Sequence, residues 1–143
     1  MAGIYIHVPF CVKRCLYCDF YSGTDMESKE DYIDAVCKEI ALRAGYLGRE
    51  SLGGESLGKE AINTIYFGGG TPSQLSVEDF SRILQAIKEN FNIENCTEIT
   101  LEANPDDLSE EYLSRLRQLP FNRISIGVQS FKDDDLKSLN RRH

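Results

Sequence analysis

Four short runs rich in β-branched residues alternate with four amphipathic stretches along the 143 residues, and this order constrains the fold more than any other feature. The strand runs fall at about 4–8, 62–67, 98–103 and 123–129. In the first, Ile4, Ile6 and Val8 share one face and Tyr5 and His7 the other; in the third, Glu98, Thr100 and Glu102 oppose Ile99, Leu101 and Ala103. In the fourth, Ser125, Gly127 and Gln129 oppose Ile124, Ile126 and Val128. The first helix is expected from about Ser28, with a stripe of Ile33, Val36, Cys37, Ile40, Ala41 and Ala44. The second begins at Ser76, with Asp79 at the capping-box position, Leu75 and Phe80 spaced as a hydrophobic staple, and a stripe of Phe80, Ile83, Leu84 and Ile87. The third begins at Ser109 with Glu110 and Glu111 in its first turn, where the helix dipole favours acids, and Leu108 and Leu113 as a second staple. A last helix is expected to begin after Phe131 and to stop at His143.

Strand–helix alternation of this kind predicts an α/β fold with a parallel sheet and right-handed crossovers. An open doubly wound sheet and part of a barrel fit it equally well; a closed eight-stranded barrel needs about 250 residues, so the chain supplies roughly half of one. Residues 45–60 hold five glycines and the doubled string Glu-Ser-Leu-Gly (50–53 and 55–58), which reads as a mobile surface loop and not as a structural repeat. No linker divides the chain.

Sixteen basic and 23 acidic residues give a net charge of −7, which repels nucleic-acid phosphates and anionic lipid. No apolar run approaches the roughly 20 residues of a transmembrane segment, and no secretory signal opens the chain, so a cytoplasmic protein is expected. In that compartment five cysteines do not read as a disulfide scaffold.

Three of the five form Cys11-Val-Lys-Arg-Cys15-Leu-Tyr-Cys18, directly after the first strand. Three thiolates this close can wrap a small metal centre from one side. Iron–sulfur clusters are normally held by four cysteines, so three on one loop point to a cubane with one iron open to another ligand. Lys13 and Arg14 between them would offset the negative charge of such a cluster. Zinc sites usually pair closely spaced ligands, and here only Cys96 and His143 could complete such a set. Cys37 belongs to a helix stripe and Cys96 has no ligand neighbour, so both read as small packing residues. His7 reads as a polar packing partner or a neighbour of the site.

The second strand runs into Phe67-Gly68-Gly69-Gly70-Thr71-Pro72, which lacks both the P-loop lysine and the dinucleotide-binding spacing. Three glycines there allow a ligand to approach the backbone. Glu102-Ala-Asn-Pro and Gly127-Val-Gln129-Ser end the next two strands, so polar groups collect where parallel α/β folds bind ligands. Asp106 and Asp107 read as helix-start acids.

Tyr5-Ile-His7-Val-Pro9-Phe10-Cys11, the C-x3-C-x2-C loop, Tyr66-Phe67-Gly-Gly-Gly-Thr71-Pro72, Glu102-Ala-Asn-Pro and Gly127-Val-Gln129-Ser-Phe131 with Asn140-Arg141 together resemble the radical S-adenosylmethionine enzymes. Within them the pattern is similar to the oxygen-independent coproporphyrinogen III oxidases and their heme-chaperone relatives. The resemblance implies residues 1–143 as a partial radical S-adenosylmethionine domain, the N-terminal half of a TIM-like barrel, ending mid-barrel and expected to be inactive alone. It implies a [4Fe–4S] cluster on Cys11, Cys15 and Cys18, and S-adenosylmethionine held by Tyr5, Gly69, Gly70, Thr71, Glu102, Gln129 and Arg141. Glu102 would suit the ammonium group and Arg141 the carboxylate. The implied activity is reductive cleavage of S-adenosylmethionine in porphyrin or heme metabolism. The partners are a tetrapyrrole (coproporphyrinogen III or heme) and an electron donor such as a flavodoxin or ferredoxin. The oxidases resemble C-x3-C-x2-C-x-C, whereas position 20 here is Phe, which looks more like the chaperone branch. The reading is therefore an oxidase-like radical enzyme, with a heme-binding chaperone that keeps the cluster as the alternative.

Overall fold

The computed structural model describes residues 2–45, 48–50, 56–59 and 61–141, the two short central segments by backbone alone. Four parallel strands form one sheet: β1 (Ala2–Val8), β4 (Ile62–Gly69), β5 (Glu98–Ala103) and β6 (Arg123–Ile126), in that spatial order. A separate antiparallel pair, β2 (Gly48–Glu50) with β3 (Ser56–Lys59), lies between the first helix and β4 in sequence. The crossovers carry α1 (Lys29–Leu42), α2 (Val77–Asn90) and α3 (Glu110–Leu116), and α4 (Asp133–Ser138) follows β6.

Spatial order follows chain order with no reversal. A doubly wound sheet must reverse direction at a switch point, whereas right-handed crossovers taken in one direction put every helix on the same face. α1 packs on α2, and α2 on α3, as that rule requires. The sheet is an arc of a barrel. Its helix-facing row Ile6, Phe67, Leu101 and Ile124 runs across the four strands in register, and the opposite row is Tyr5, Tyr66, Thr100 and Arg123.

The core sits between sheet and helices. Ile33 of α1, Ile62, Ile65 and Phe67 of β4, Phe80, Ile83 and Ile87 of α2, and Leu101 of β5 are buried. Phe67, Phe80 and Phe121 meet edge to face in a triangle, with ring centroids 5.1–5.5 Å apart. The fully buried Phe67 and Phe80 rings contribute about 2–3 kcal/mol each through burial alone, and Phe121 is half-buried against them. Ser76 and Asp79 form the expected reciprocal capping box, with Leu75 and Phe80 both buried beside it. Asp79 also accepts from Lys29 Nζ at 2.8 Å, tying the starts of α1 and α2 together. Burial alone would raise the Asp79 carboxyl, but the hydrogen bonds from Lys29 and Ser76 outweigh it and hold the group below the usual carboxylate range. Ser109 caps α3 by accepting from Tyr112 N–H, with Leu108 and Leu113 half-buried.

Four expectations are corrected. The fourth sequence strand, expected to reach Gln129, stops at Ile126, because its neighbour β5 ends at the paired Ala103 and the chain then turns through Gln129 at φ 64°. Gln129 therefore does not share a strand face with Ser125. The last helix spans Asp133–Ser138 and stops well short of His143, which lies outside the described residues. The glycine-rich 45–60 stretch contains the β2–β3 pair, though much of it also lies outside the described residues. Ala41, placed on the buried stripe of α1, is exposed.

Candidate functional site

The cysteine loop starts where β1 runs out. Cys11 N–H donates to Gly23 O (2.9 Å) and Gly23 N–H to Pro9 O (2.8 Å), so the loop closes on a bridge between Phe10 and Gly23. His7 Nε2 donates to the Tyr21 carbonyl at 2.7 Å, and the Tyr32 hydroxyl to the His7 carbonyl at 2.7 Å. A carbonyl only accepts, so Nε2 carries the ring proton and His7 packs as a polar partner.

The glycines bring the second strand end against this loop. Gly70 N–H donates to Val8 O (2.8 Å) and Thr71 N–H to Phe10 O (2.7 Å). A Cβ at Gly70 would lie 2.8 Å from Phe10 O and 3.1 Å from Cys11 Sγ, so only glycine permits the approach. Gly69 sits at φ 110°, and a Cβ there would strike the His7 ring. Thr71 Oγ1 donates to Cys11 Sγ at 3.4 Å.

Glu102, at the end of β5, is held from two sides. The Tyr66 hydroxyl donates to its Oε1 (2.6 Å) and Gly69 N–H to its Oε2 (3.3 Å). The hydrogen bond to Glu102, with burial added, raises the Tyr66 phenol and keeps it a donor. Tyr5 stacks on Tyr66 with centroids 5.9 Å apart, and burial followed by the Glu102 charge raises its phenol too. Tyr5 faces the same side of the sheet as Glu102 but stays outside the cavity described next.

Cys11, Cys15, Cys18, Gly69, Gly70, Thr71, Glu102, Gln129 and Arg141 all line one cavity of about 300 Å³ at the carboxyl ends of the strands. Arg141 reaches it from beyond α4: Nη2 donates to Gly127 O (2.6 Å), and Nη1 to Cys15 Sγ (3.5 Å) and to the Tyr17 hydroxyl (3.3 Å). Tyr17 and Ser125 also line the cavity, although no motif in the sequence marks them as site residues. Ser125 was findable, since it stands on the polar face of the last strand. Tyr66, as the holder of Glu102, could have been inferred only from cross-strand register.

These residues fit an anionic cluster. The lining carries Lys13, Arg14 and Arg141 against the single carboxylate of Glu102, in a chain whose overall charge is −7. Among the described residues no three His, Cys, Asp or Glu side chains converge as one metal ion requires. A single tetrahedral zinc, with Zn–S near 2.3 Å, would draw its sulfurs to within about 4 Å of one another. The three thiols border one shared cavity. Cys37 and Cys96 lie elsewhere, half-buried, and burial raises both thiols.

The family model of the radical SAM superfamily matches residues 5–143, and the chain belongs to that family. It stands on the branch of the HemN-like oxidases and heme chaperones. A protein named heme chaperone HemW from Buchnera aphidicola is 40% identical over 141 residues, covering 97% of this chain and 35% of the relative. The protein of the same name from Escherichia coli K12 is 36% identical, covering 99% of this chain and 35% of the relative. The solved structure of the Escherichia coli coproporphyrinogen III oxidase HemN, described as a radical SAM enzyme, superposes with a TM-score of 0.82 at 32% identity, covering 99% of this chain and 31% of that one. The chain thus spans about a third of the length of these relatives. No helix among the described residues is long and apolar enough to cross a membrane.

Proposed function

We propose that the chain forms the cofactor-binding part of a radical S-adenosylmethionine protein of the heme-chaperone type. On this reading Cys11, Cys15 and Cys18 hold a [4Fe–4S] cluster, and the cavity beside them takes S-adenosylmethionine. The carrying observation is the gathering of all three thiols with Gly70, Thr71, Glu102, Gln129 and Arg141 around one cavity at the strand ends. When bound, the cluster supplies the electron that cleaves the sulfonium of S-adenosylmethionine.

The chain's own residues bind and orient. Glu102, fixed by Tyr66 and Gly69, presents a carboxylate suited to an ammonium group. Arg141, braced on Gly127, offers a guanidinium suited to a carboxylate. Gly69 and Gly70 let the nucleotide lie against backbone. Thr71 donates to Cys11 and so holds its sulfur at the cavity wall.

Phe20 separates the two branches. It lines the cavity and stands where the oxidase pattern has a further cysteine. The heme-chaperone names of the relatives support the same side. The proposed tetrapyrrole is therefore heme, handed to an acceptor, with the electron coming from a flavodoxin or ferredoxin. Oxidase action on coproporphyrinogen III is the second reading, supported by the structural likeness to HemN.

Anaerobic reconstitution followed by EPR of the reduced protein tests the cofactor reading: a [4Fe–4S] signal that changes on adding S-adenosylmethionine is expected, and folded protein without a cluster would refute it. With full-length protein, heme transfer to an apo-hemoprotein without release of carbon dioxide from coproporphyrinogen III is expected. Decarboxylation would restore the oxidase.

A further inference from the structure

The cysteine loop is anchored at its two ends, and within the loop its middle ligand has one backbone bond, Cys18 N–H to Cys15 O at 3.3 Å. The Phe10–Gly23 bridge fixes Cys11 and the loop's exit. Between them Leu16, Phe20 and Tyr21 are exposed, Leu16 by 76% and Tyr21 by 85%, so no apolar burial holds the apex. Yet Cys15 is bracketed. Leu16 N–H donates to Leu139 O (3.2 Å) and Asn140 Nδ2 donates to Arg14 O (3.0 Å), so the residues on either side of Cys15 are gripped by two consecutive residues from the far end of the chain.

The grip depends on how α4 ends. Arg141 N–H donates to Leu136 O and Asn140 N–H to Lys137 O, the paired bonds of a Schellman motif, with Asn140 as its left-handed residue at φ 56°. Glycine is the usual choice there, and Asn is the side chain that best tolerates the conformation. Asn does what glycine would do for the turn, and its amide adds a donor to the cysteine loop. The same turn delivers the Leu139 carbonyl to Leu16 and the Arg141 guanidinium to Cys15.

We propose that Asn140 is a positioning residue for the cluster: the Schellman turn after α4 is a clasp that holds Cys15 in place, and the Asn140 amide is its closing bond. Assembly of the metal centre therefore waits on the chain folding through α4, although all three ligands lie within the first 18 residues. This rests on the reading that Cys11, Cys15 and Cys18 are the cluster ligands.

Asn140→Gly separates clasp from turn, because glycine keeps or improves the helix stop and removes only the amide. In the apo form of the full-length protein, iodoacetamide labelling read by mass spectrometry is expected to speed up at Cys15 by roughly three- to tenfold, the worth of one hydrogen bond. Cys11 and Cys18 should change much less, and the melting temperature should hold. Asn140→Asp, which tolerates the turn but cannot donate, should behave alike. After reconstitution, loss of iron to a chelator should accelerate to a similar degree in both variants. Unchanged Cys15 labelling in both would overturn the clasp, as would equal acceleration at all three thiols. Faster Cys15 labelling in a protein that takes up no iron and sulfide would uphold the clasp and refute the cluster instead.

Discussion

The two faces of the molecule are built on opposite principles. On the helix side of the sheet, Phe67, Phe80 and Phe121 and the isoleucines around them are held by burial, which is additive, non-directional and indifferent to any ligand. At the strand ends, Phe20 and Tyr17 stay largely exposed, and the cysteine loop is held by a few backbone and side-chain hydrogen bonds, each worth about 1 kcal/mol. The core makes the barrel arc stand; the loop gains its rigidity from hydrogen-bonded neighbours and, on our reading, from what it binds. Substitutions on one face should therefore leave the other nearly untouched.

That separation can be broken in order of effect. Replacing Cys15 or Cys18 by Ala is expected to remove the iron–sulfur signal entirely while shifting apo-protein stability by less than about 1 kcal/mol, and Cys11→Ala should remove it at a larger cost because Cys11 is buried. Iron and sulfide analysis beside urea melts checks both halves, and a cluster retained in all three variants would contradict the ligand assignment. Phe80→Ala should do the reverse, costing about 3–5 kcal/mol through the cavity left against Phe67 and Phe121. In the population still folded at low temperature, reconstitution should proceed as in the parent.

Gly70→Ala lies on the boundary between the two faces. Its Cβ would meet Phe10 O and Cys11 Sγ, so a cost of about 1–3 kcal/mol is expected together with weaker S-adenosylmethionine binding. Calorimetric titration of the reconstituted protein, set beside a melt, would show both changes; a change in stability alone would limit Gly70 to packing.

The smallest effect is one of pH. Asp79 is held below its ordinary range, so its bonds to Lys29 and Ser76 stabilise the fold above the unfolded carboxyl value near 3.9 and are lost as pH falls through the lower folded value. Parent protein should lose stability over that acid window, and Asp79→Asn should flatten this part of the profile in urea melts at stepped pH. An unaltered profile would mean that other carboxylates govern the acid limb.

Much of this was legible without coordinates wherever the cause is local. The capping box at Ser76 and the cap at Ser109 depend on residues three apart, and the alternation along β5 on residues two apart, so pattern and structure agree there. Alternation alone carries the fourth strand to Gln129, but its end at Ile126 is set by where β5 stops. Tyr5, which the motif resemblance sets among the S-adenosylmethionine contacts, stacks on Tyr66 and does not line the cavity, because register between β1 and β4 pairs those two positions.

The sequence by itself determined the order of the four parallel strands and their helices, the helix starts, the thiol-bearing loop and the family to which these motifs belong, because each is carried by neighbours along the chain. Periodicity left open sheet and barrel arc equal, and only the resemblance of the motifs favoured the barrel; the tertiary structure alone decided that Tyr66 holds Glu102, and that residues 139–141 grip the loop around Cys15. Those depend on strand order, on register and on contacts spanning up to 126 residues, and nothing in a local pattern encodes which distant carbonyl an amide will meet.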